Sequence, residues 1–125
     1  MKLYIYFLFL FIFLNSFPLY SQQYDAQYSL NYEQIREKYM SFEEDDVMAF
    51  KYLQPFIQKA KKEQNYAQLS RGYLDAINFT GNDKIIYADS AIQAAKLTNK
   101  NDIIARAYMF KGSTYYFNQK KYQKA

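Results

Sequence analysis

The sequence predicts an all-α protein of one domain, built from pairs of helices, and three observations carry this prediction. Apolar side chains recur at the 3.6-residue period of an amphipathic helix along most of the chain. The 125 residues include 3 glycines and 2 prolines, which is too few for the frequent turns of a β fold. After residue 50 the sequence repeats itself at an offset of 35 residues, a period typical of stacked helical hairpins.

The first 21 residues predict an export signal. Lys2 precedes an unbroken apolar run from Leu3 to Leu14, and a polar stretch follows, which is the layout of a secretory signal peptide. The run is shorter than the roughly 20 apolar residues that span a membrane. We expect cleavage after Ser21, and retention as an N-terminal anchor is the alternative. In both cases the rest of the chain is expected to be exported, either in the periplasm or anchored and facing it.

The first long helix is predicted to begin near residue 41. Ser41 and Glu44 form a capping-box pattern, in which each side chain binds a backbone N–H of the first helical turn. The apolar stripe that follows runs to about Lys62. Pro55 lies inside this stripe and lacks a backbone donor, so the helix either kinks there or restarts with Pro55 as its first residue.

Three further apolar stripes predict three further helices, with polar breaks at residues 80–82 and 99–101. Gly81 in the first break and asparagine in the second can adopt the left-handed conformation that ends many helices. Asp83 and Asp102 stand where an N-cap or a first-turn acid is favoured. The apolar positions are Tyr66, Leu69, Tyr73 and Ala76, then Ile85, Ala88, Ile92 and Ala95, then Ile104, Tyr108 and Tyr115.

The repeat favours a stacked array over a closed bundle. Residues 52–73 and 87–108 align without a gap, and 7 of their 22 positions are identical. Ordinary residue frequencies would give roughly one or two identities. A closed helical bundle, the alternative, does not need identical residues at a fixed offset. The identical pairs are Tyr52/Tyr87, Ile57/Ile92, Gln58/Gln93, Ala60/Ala95, Lys61/Lys96, Arg71/Arg106 and Tyr73/Tyr108.

Residues 105–125 resemble a tetratricopeptide repeat (TPR). The matching residues are Tyr108, Gly112 and Tyr115 in the first helix, then Tyr122 and Ala125 in the next. The period of 35 departs by one residue from the 34 of the family. The resemblance implies a TPR-like α-solenoid over residues 42–125, in which small residues such as Gly112 let antiparallel helices approach closely. Residues 22–41 are then an N-terminal extension or capping helix.

The last of these repeats is expected to be incomplete, because residue 125 falls inside its second helix. The chain is therefore expected to be the N-terminal portion of a larger protein, and to self-associate through the unfinished repeat. The large apolar side chains involved are each worth roughly 1.5–3 kcal/mol when buried, so their exposure would favour association.

The composition argues against an enzyme and against a metal site or cofactor. The chain has no His and no Cys, which excludes Ser-His-Asp and Cys-His triads and thiolate or imidazole metal sites. Residues 43–46 are four consecutive acids, which point in different directions and favour a helix start. They also lack the alternating ligands and central Gly of a calcium loop. No glycine-rich phosphate loop is present.

Binding in a groove is what the TPR resemblance implies instead. The first helix of each pair lines such a groove. Two arginines at the 35-residue offset are predicted to grip a carboxylate or an extended peptide, with Tyr116 as an aromatic anchor. The alternative is that the arginines are solvated, or paired to Asp75 and Asp102. The groove residues implied by the resemblance are Arg71, Leu74 and Asn78 in one repeat, then Arg106, Met109, Ser113, Tyr116 and Phe117 in the next.

The sequence thus predicts an exported, non-catalytic module that binds a protein or peptide. The alternative is the extracytoplasmic sensory region of a membrane-anchored regulator. The resemblance to exported bacterial TPR-containing regulators implies an AraC-type or histidine-kinase output domain beyond residue 125. Residues 103–125 carry five basic and no acidic side chains, which we interpret as a solvated helix face and not as a nucleic-acid site. Membrane contact is expected only through the signal segment.

Overall fold

The computed structural model describes residues 30–123, which form five α-helices and, in this range, no β-strand. The all-α fold class is therefore confirmed for this part of the chain. The predicted export signal at residues 1–21 and the predicted match at Ala125 lie outside the described residues. Within residues 30–123, every helix is too short or too polar to span a lipid bilayer. The helices are α1 Tyr32–Met40, α2 Asp46–Lys62, α3 Tyr66–Phe79, α4 Lys84–Lys96 and α5 Asn101–Gln123.

Each helix packs against the next one along the chain, and α3 also contacts α5. Aromatic rings fill the contact between α1, α2 and α3, where Phe56 meets Tyr32 and Tyr39 edge to face. The contact between α3, α4 and α5 combines large side chains, Leu74 and Ile77 of α3 and Ile92 of α4, with alanines from α4 and α5. Its buried members are Leu74, Ile77, Ala88, Ala91, Ile92, Ala95 and Ala107.

A buried carboxylate joins α1 to α3. Asp75 of α3 is 8% exposed, and its Oδ2 accepts hydrogen bonds from Arg36 Nε at 2.9 Å and from the Tyr39 hydroxyl at 2.6 Å. Burial and the hydrogen bond to this carboxylate raise the pKa of the Tyr39 phenol. The hydrogen bond to Asp75 also raises the pKa of Arg36. These groups fix the position of α1 across α3.

The predicted capping box at the start of α2 is wrong, because the helix begins later. Asp45 is the N-cap, and its side chain accepts a hydrogen bond from the backbone N–H of Met48 at 3.0 Å. Ser41 instead donates to the carbonyl of Lys38 at the end of α1. The acids therefore favour the helix start, as predicted, but through Asp45. Pro55 lies inside a continuous α2, so the helix does not restart there.

The turns between helices agree with the sequence at one break and differ at the other. Asn99 has a φ of 55°, the predicted left-handed conformation. Gly81 does not, because the chain leaves α3 through Thr80 in an extended conformation. Asp83 is the N-cap of α4 but makes no capping hydrogen bond with its side chain. Gln64 also has a positive φ of 52°, which the sequence did not predict.

The second helix predicted around Tyr122 is wrong, because α5 continues without a break to Gln123. The helix against which Gly112 was predicted to pack is therefore not among the described residues. A Cβ at Gly112 would meet nothing within 4 Å, whereas a Cβ at Gly72 would lie 2.9 Å from Cδ1 of Phe56. The close approach that requires a glycine is therefore between α2 and α3. Likewise, α5 buries Ala107 and Thr114, while Tyr108 and Tyr115 of its predicted apolar stripe are about half exposed.

Candidate functional site

A cleft of about 350 Å³ opens between α3 and α5. This volume lies at the small end of the range that ligand pockets occupy, roughly 300–1,000 Å³. Apolar and polar side chains share the lining, and two arginines belong to it. The lining residues are Ala67, Gln68, Ser70, Arg71 and Leu74 from α3, with Ile103 and Arg106 from α5.

Local contacts of α3 hold one wall of this cleft in place. The helix begins at an N-cap, Asn65, whose side chain accepts from the backbone N–H of Gln68 at 3.2 Å. Gly72 allows α3 to lie directly against α2. On the side of α4, the buried hydroxyl of Ser70 donates to the carbonyl of Ala91 at 2.9 Å. These contacts fix the rotational orientation of α3 about its axis. They therefore determine which of its side chains face the cleft.

The second wall is α5, which is held mainly through α4. Ala107 is fully buried, and its small side chain lets α5 approach α4 closely. Lys111 Nζ lies 2.5 Å from Asp89 Oδ1 on α4. This hydrogen bond raises the pKa of Lys111. Thr114 is also buried, and its hydroxyl donates to the carbonyl of Phe110 within the same helix. The contacts leave the opposite faces of α5 in solvent.

Arg71 is already paired with an acid from α1. Its Nη1 lies 2.6 Å from Oε1 of Glu33, and both side chains are partly exposed. The sequence placed Arg71 near Asp75 as an alternative, but Asp75 is bound by Arg36 instead. The pairing with Glu33 was missed because the two residues are 38 positions apart, and only the packing of α1 brings them together.

Arg106 is exposed and has no ion-pair or hydrogen-bond partner among residues 30–120, whose side chains the structure describes. The predicted pairing with Asp102 is not formed, although both residues lie near the start of α5. Its guanidinium therefore brings to the cleft a positive charge that no carboxylate in this part of the chain neutralises. A planar guanidinium with free N–H groups can bind a carboxylate through two parallel hydrogen bonds.

Gln68 adds an unsatisfied acceptor to the same wall. Its Oε1 is buried and accepts no hydrogen bond from the described residues. Buried polar atoms are normally hydrogen-bonded, so a donor from a bound molecule would be favourable at this position. Four lining residues were not predicted from the sequence, namely Ala67, Gln68, Ser70 and Ile103. Helical spacing could have found three of them, since Ala67 and Gln68 lie four and three residues before Arg71, and Ile103 lies three residues before Arg106.

The structure brings together three of the residues that the sequence placed in the groove, namely Arg71, Leu74 and Arg106. Asn78 is exposed near the end of α3 and does not line the cleft. The other candidates continue along α5 and are all exposed, namely Met109, Ser113, Tyr116 and Phe117. Two of them, Ser113 and Phe117, share the face of α5 that carries Arg106, because they lie seven and eleven residues after it.

The acidic residues at the start of α2 do not form a site of their own. Asp45 caps the helix and Asp46 lies in its first turn. In residues 30–123, acidic side chains do not gather in groups of three or more that could hold a metal ion.

Comparison with protein-family models, with curated proteins and with solved structures finds no match to this chain.

Proposed function

We propose that this protein is an exported, non-catalytic helical-repeat module that binds an extended, carboxylate-bearing segment of a protein or peptide. The observation that carries the proposal is the cleft between α3 and α5. Two arginines 35 residues apart, Arg71 and Arg106, line it together, and Arg106 has no acid partner among the described residues.

A TPR-like stacked array is part of this proposal. Its support is the contact between alternate helices. The Arg36–Asp75 pair joins α1 to α3, and α3 contacts α5, so the first helices of successive pairs lie side by side. In a stacked array these helices share one surface, on which a single extended ligand can contact several repeats.

The energetics favour a ligand that combines charge with apolar contact. An exposed ion pair contributes roughly 0–1 kcal/mol by itself, so one carboxylate on Arg106 gives weak binding. Leu74 and Ile103 line the same cleft and offer apolar area next to the guanidinium. The chain carries a net charge of +4, which adds a long-range attraction for acidic partners.

Peptide selection tests the proposal directly. The protein is exposed to a display library of random 12-residue peptides, and the enriched peptides are measured by fluorescence anisotropy. We expect peptides that contain Asp or Glu, and we expect Arg106→Ala to weaken their binding by about three- to fivefold, because an exposed ion pair worth up to about 1 kcal/mol is lost. Arg106 is exposed, so this change leaves the fold intact.

Lys51→Ala is the matched control, since Lys51 is an exposed cation on α2 that does not line the cleft. It removes the same charge and is expected to leave binding within about twofold. Equal losses of peptide affinity in the two variants would show that binding depends on the net charge of the protein and not on Arg106 itself. Enrichment of peptides without acids, or undiminished binding to Arg106→Ala, would overturn the proposal.

A further inference from the structure

An aromatic stripe continues the cleft along α5. Phe110, Ser113 and Phe117 follow Arg106 at i+4, i+7 and i+11, so all four residues lie on one side of the helix. Phe110 is 41% exposed and Phe117 is 68% exposed. Large apolar side chains aligned in solvent beside a cleft are typical of binding surfaces.

Neighbouring side chains order the far end of this stripe. The ring of Tyr116 meets that of Phe117 edge to face, with centroids 5.6 Å apart. Lys120 Nζ lies over the Tyr116 ring, 4.7 Å from its centroid. These contacts limit the freedom of Phe117, which lowers the entropic cost of burying it under a ligand.

The stripe also has a defined length. Arg106 and Phe117 are eleven residues apart on one helix, which at 1.5 Å per residue separates them by about 16 Å. An extended peptide advances about 3.3 Å per residue, so five residues cover the same distance. In an extended peptide that lies along α5, the residue next to Arg106 and the residue next to Phe117 are therefore about five positions apart.

Charge restricts the kind of ligand. From residue 103 to residue 120 the helix carries Arg106, Lys111 and Lys120 and no acidic residue. Lys111 is engaged by Asp89, whereas Arg106 is unpaired among the described residues. The complementary ligand is acidic at the cleft and apolar at the aromatic end.

We propose that the cleft and this stripe together bind one extended peptide, with an acidic residue on Arg106 and a large apolar residue about five positions away on Phe117. This inference rests on the proposed function, since it specifies the peptide that the cleft takes. It adds a spacing rule, which the cleft alone does not impose.

Designed peptides test the rule. Each is a fluorescently labelled 14-residue peptide of Gly and Ser with one Asp and one Phe, placed two, five or eight positions apart. Binding is measured by anisotropy against the protein. We expect the five-residue spacing to bind at least about fivefold more tightly than the other two, because only it reaches both contacts at once.

Paired changes in protein and peptide assign each contact. In a double-mutant cycle, Arg106→Ala is combined with Asp→Asn in the peptide, and Phe117→Ala with Phe→Ala in the peptide. We expect each protein variant to abolish the penalty of its own peptide change and to keep the other penalty. Tyr115→Ala is the control, because Tyr115 lies nine residues after Arg106, about half a turn around α5.

The outcomes separate this inference from the proposed function. Binding that needs Asp and Arg106 but ignores the spacing and Phe117 would overturn the inference and keep the proposed function. Absence of binding by every acidic peptide would overturn both. Loss of binding in Tyr115→Ala, or a change of oligomeric state in Phe117→Ala without a change in peptide binding, would also overturn the inference. The second result would mark the stripe as an interface between copies of the chain.

Discussion

Replacing glycine with alanine is expected to have opposite effects on stability at two positions in neighbouring helices. Gly72 in α3 and Gly112 in α5 are both helical, so replacing either with alanine gains helix propensity, about 1 kcal/mol. Their surroundings differ. A Cβ at Gly72 would lie 2.9 Å from Cδ1 of Phe56 and 3.1 Å from Cγ1 of Ile57, whereas a Cβ at Gly112 would meet nothing within 4 Å.

The clash at Gly72 is difficult to relieve. Phe56 is fully buried, and its ring is held edge to face by Tyr32 and Tyr39, at centroid distances of 5.2 Å and 5.8 Å. The ring cannot move away without disturbing both contacts. Overpacking of this kind costs roughly 1–3 kcal/mol. After the gain in propensity, we expect Gly72→Ala to lower the free energy of unfolding by about 1 kcal/mol.

Gly112→Ala gains helix propensity without introducing a clash. We expect it to raise the free energy of unfolding by about 0.5–1 kcal/mol, partly by restricting the unfolded chain. Urea denaturation followed by circular dichroism at 222 nm measures both variants. At a typical m-value for a chain of this size, the two midpoints should lie roughly 1 M apart, on opposite sides of the parent protein.

Two results would refute this reasoning. If Gly72→Ala were as stabilising as Gly112→Ala, α2 and α3 would not approach as closely as described. If Gly112→Ala were destabilising, another helix would pack at Gly112, as the TPR resemblance implies. The first result would contradict the structure at α3, and the second would contradict the exposure of α5.

Three further predictions concern the α1 anchor, the pH range and self-association. Asp75→Ala leaves Arg36 and Tyr39 without their buried partner and should cost about 2 kcal/mol or more by urea denaturation, with loss of hydrogen-exchange protection in α1. Asp89→Ala, which breaks the exposed pair with Lys111, is the control, and an equal cost would contradict the role given to burial. Because the pKa of Tyr39 is raised in the folded state, its stabilising effect is complete below the ordinary phenol pKa of about 10 and is lost as the pH rises above it. The urea midpoint should therefore fall more steeply above pH 10 in the parent than in Tyr39→Phe, and identical slopes would count against this. Exposure of Tyr108 and Tyr115 predicts concentration-dependent association that Tyr115→Lys weakens, whereas sedimentation of a monomer at every concentration would contradict it.

Local patterns in the sequence predicted most of the helices, because helix formation here follows apolar spacing and polar breaks. The new helix predicted around Tyr122 is the exception, since α5 continues through that residue to Gln123. Asn99 takes the left-handed conformation expected of an asparagine at a helix end. The predicted caps and turns were wrong where two nearby residues could serve the same purpose. Ser41 fits a capping box, but the helix begins at Asp46, so the carboxylate of Asp45 caps it instead. Gly81 is free to turn, yet Thr80 already redirects the chain.

The candidate site was predictable to the extent that it follows the repeat. A fixed offset of 35 residues places Arg71 and Arg106 at equivalent positions of α3 and α5, and both line the cleft. The acid that pairs with Arg71 was not predictable in this way. Glu33 belongs to α1, which lies outside the aligned residues 52–73 and 87–108, and it meets Arg71 where α1 packs on α3 beside the Arg36–Asp75 pair.

The distribution of residue sizes in α5 explains how one helix can serve both the core and a binding surface. Its buried positions, Ala107 and Thr114, are small, and Ala107 lies in one cluster with buried alanines of α4. Small residues on both sides let α4 and α5 pack closely at Ala107. The large aromatic residues of α5 lie outside this contact, and Phe110 and Phe117 are on the same side of the helix as Arg106. The far end of the binding stripe contributes little to the core, since Phe117 is 68% exposed. Replacing Phe117 should accordingly change peptide affinity and leave the urea midpoint of the parent protein unchanged.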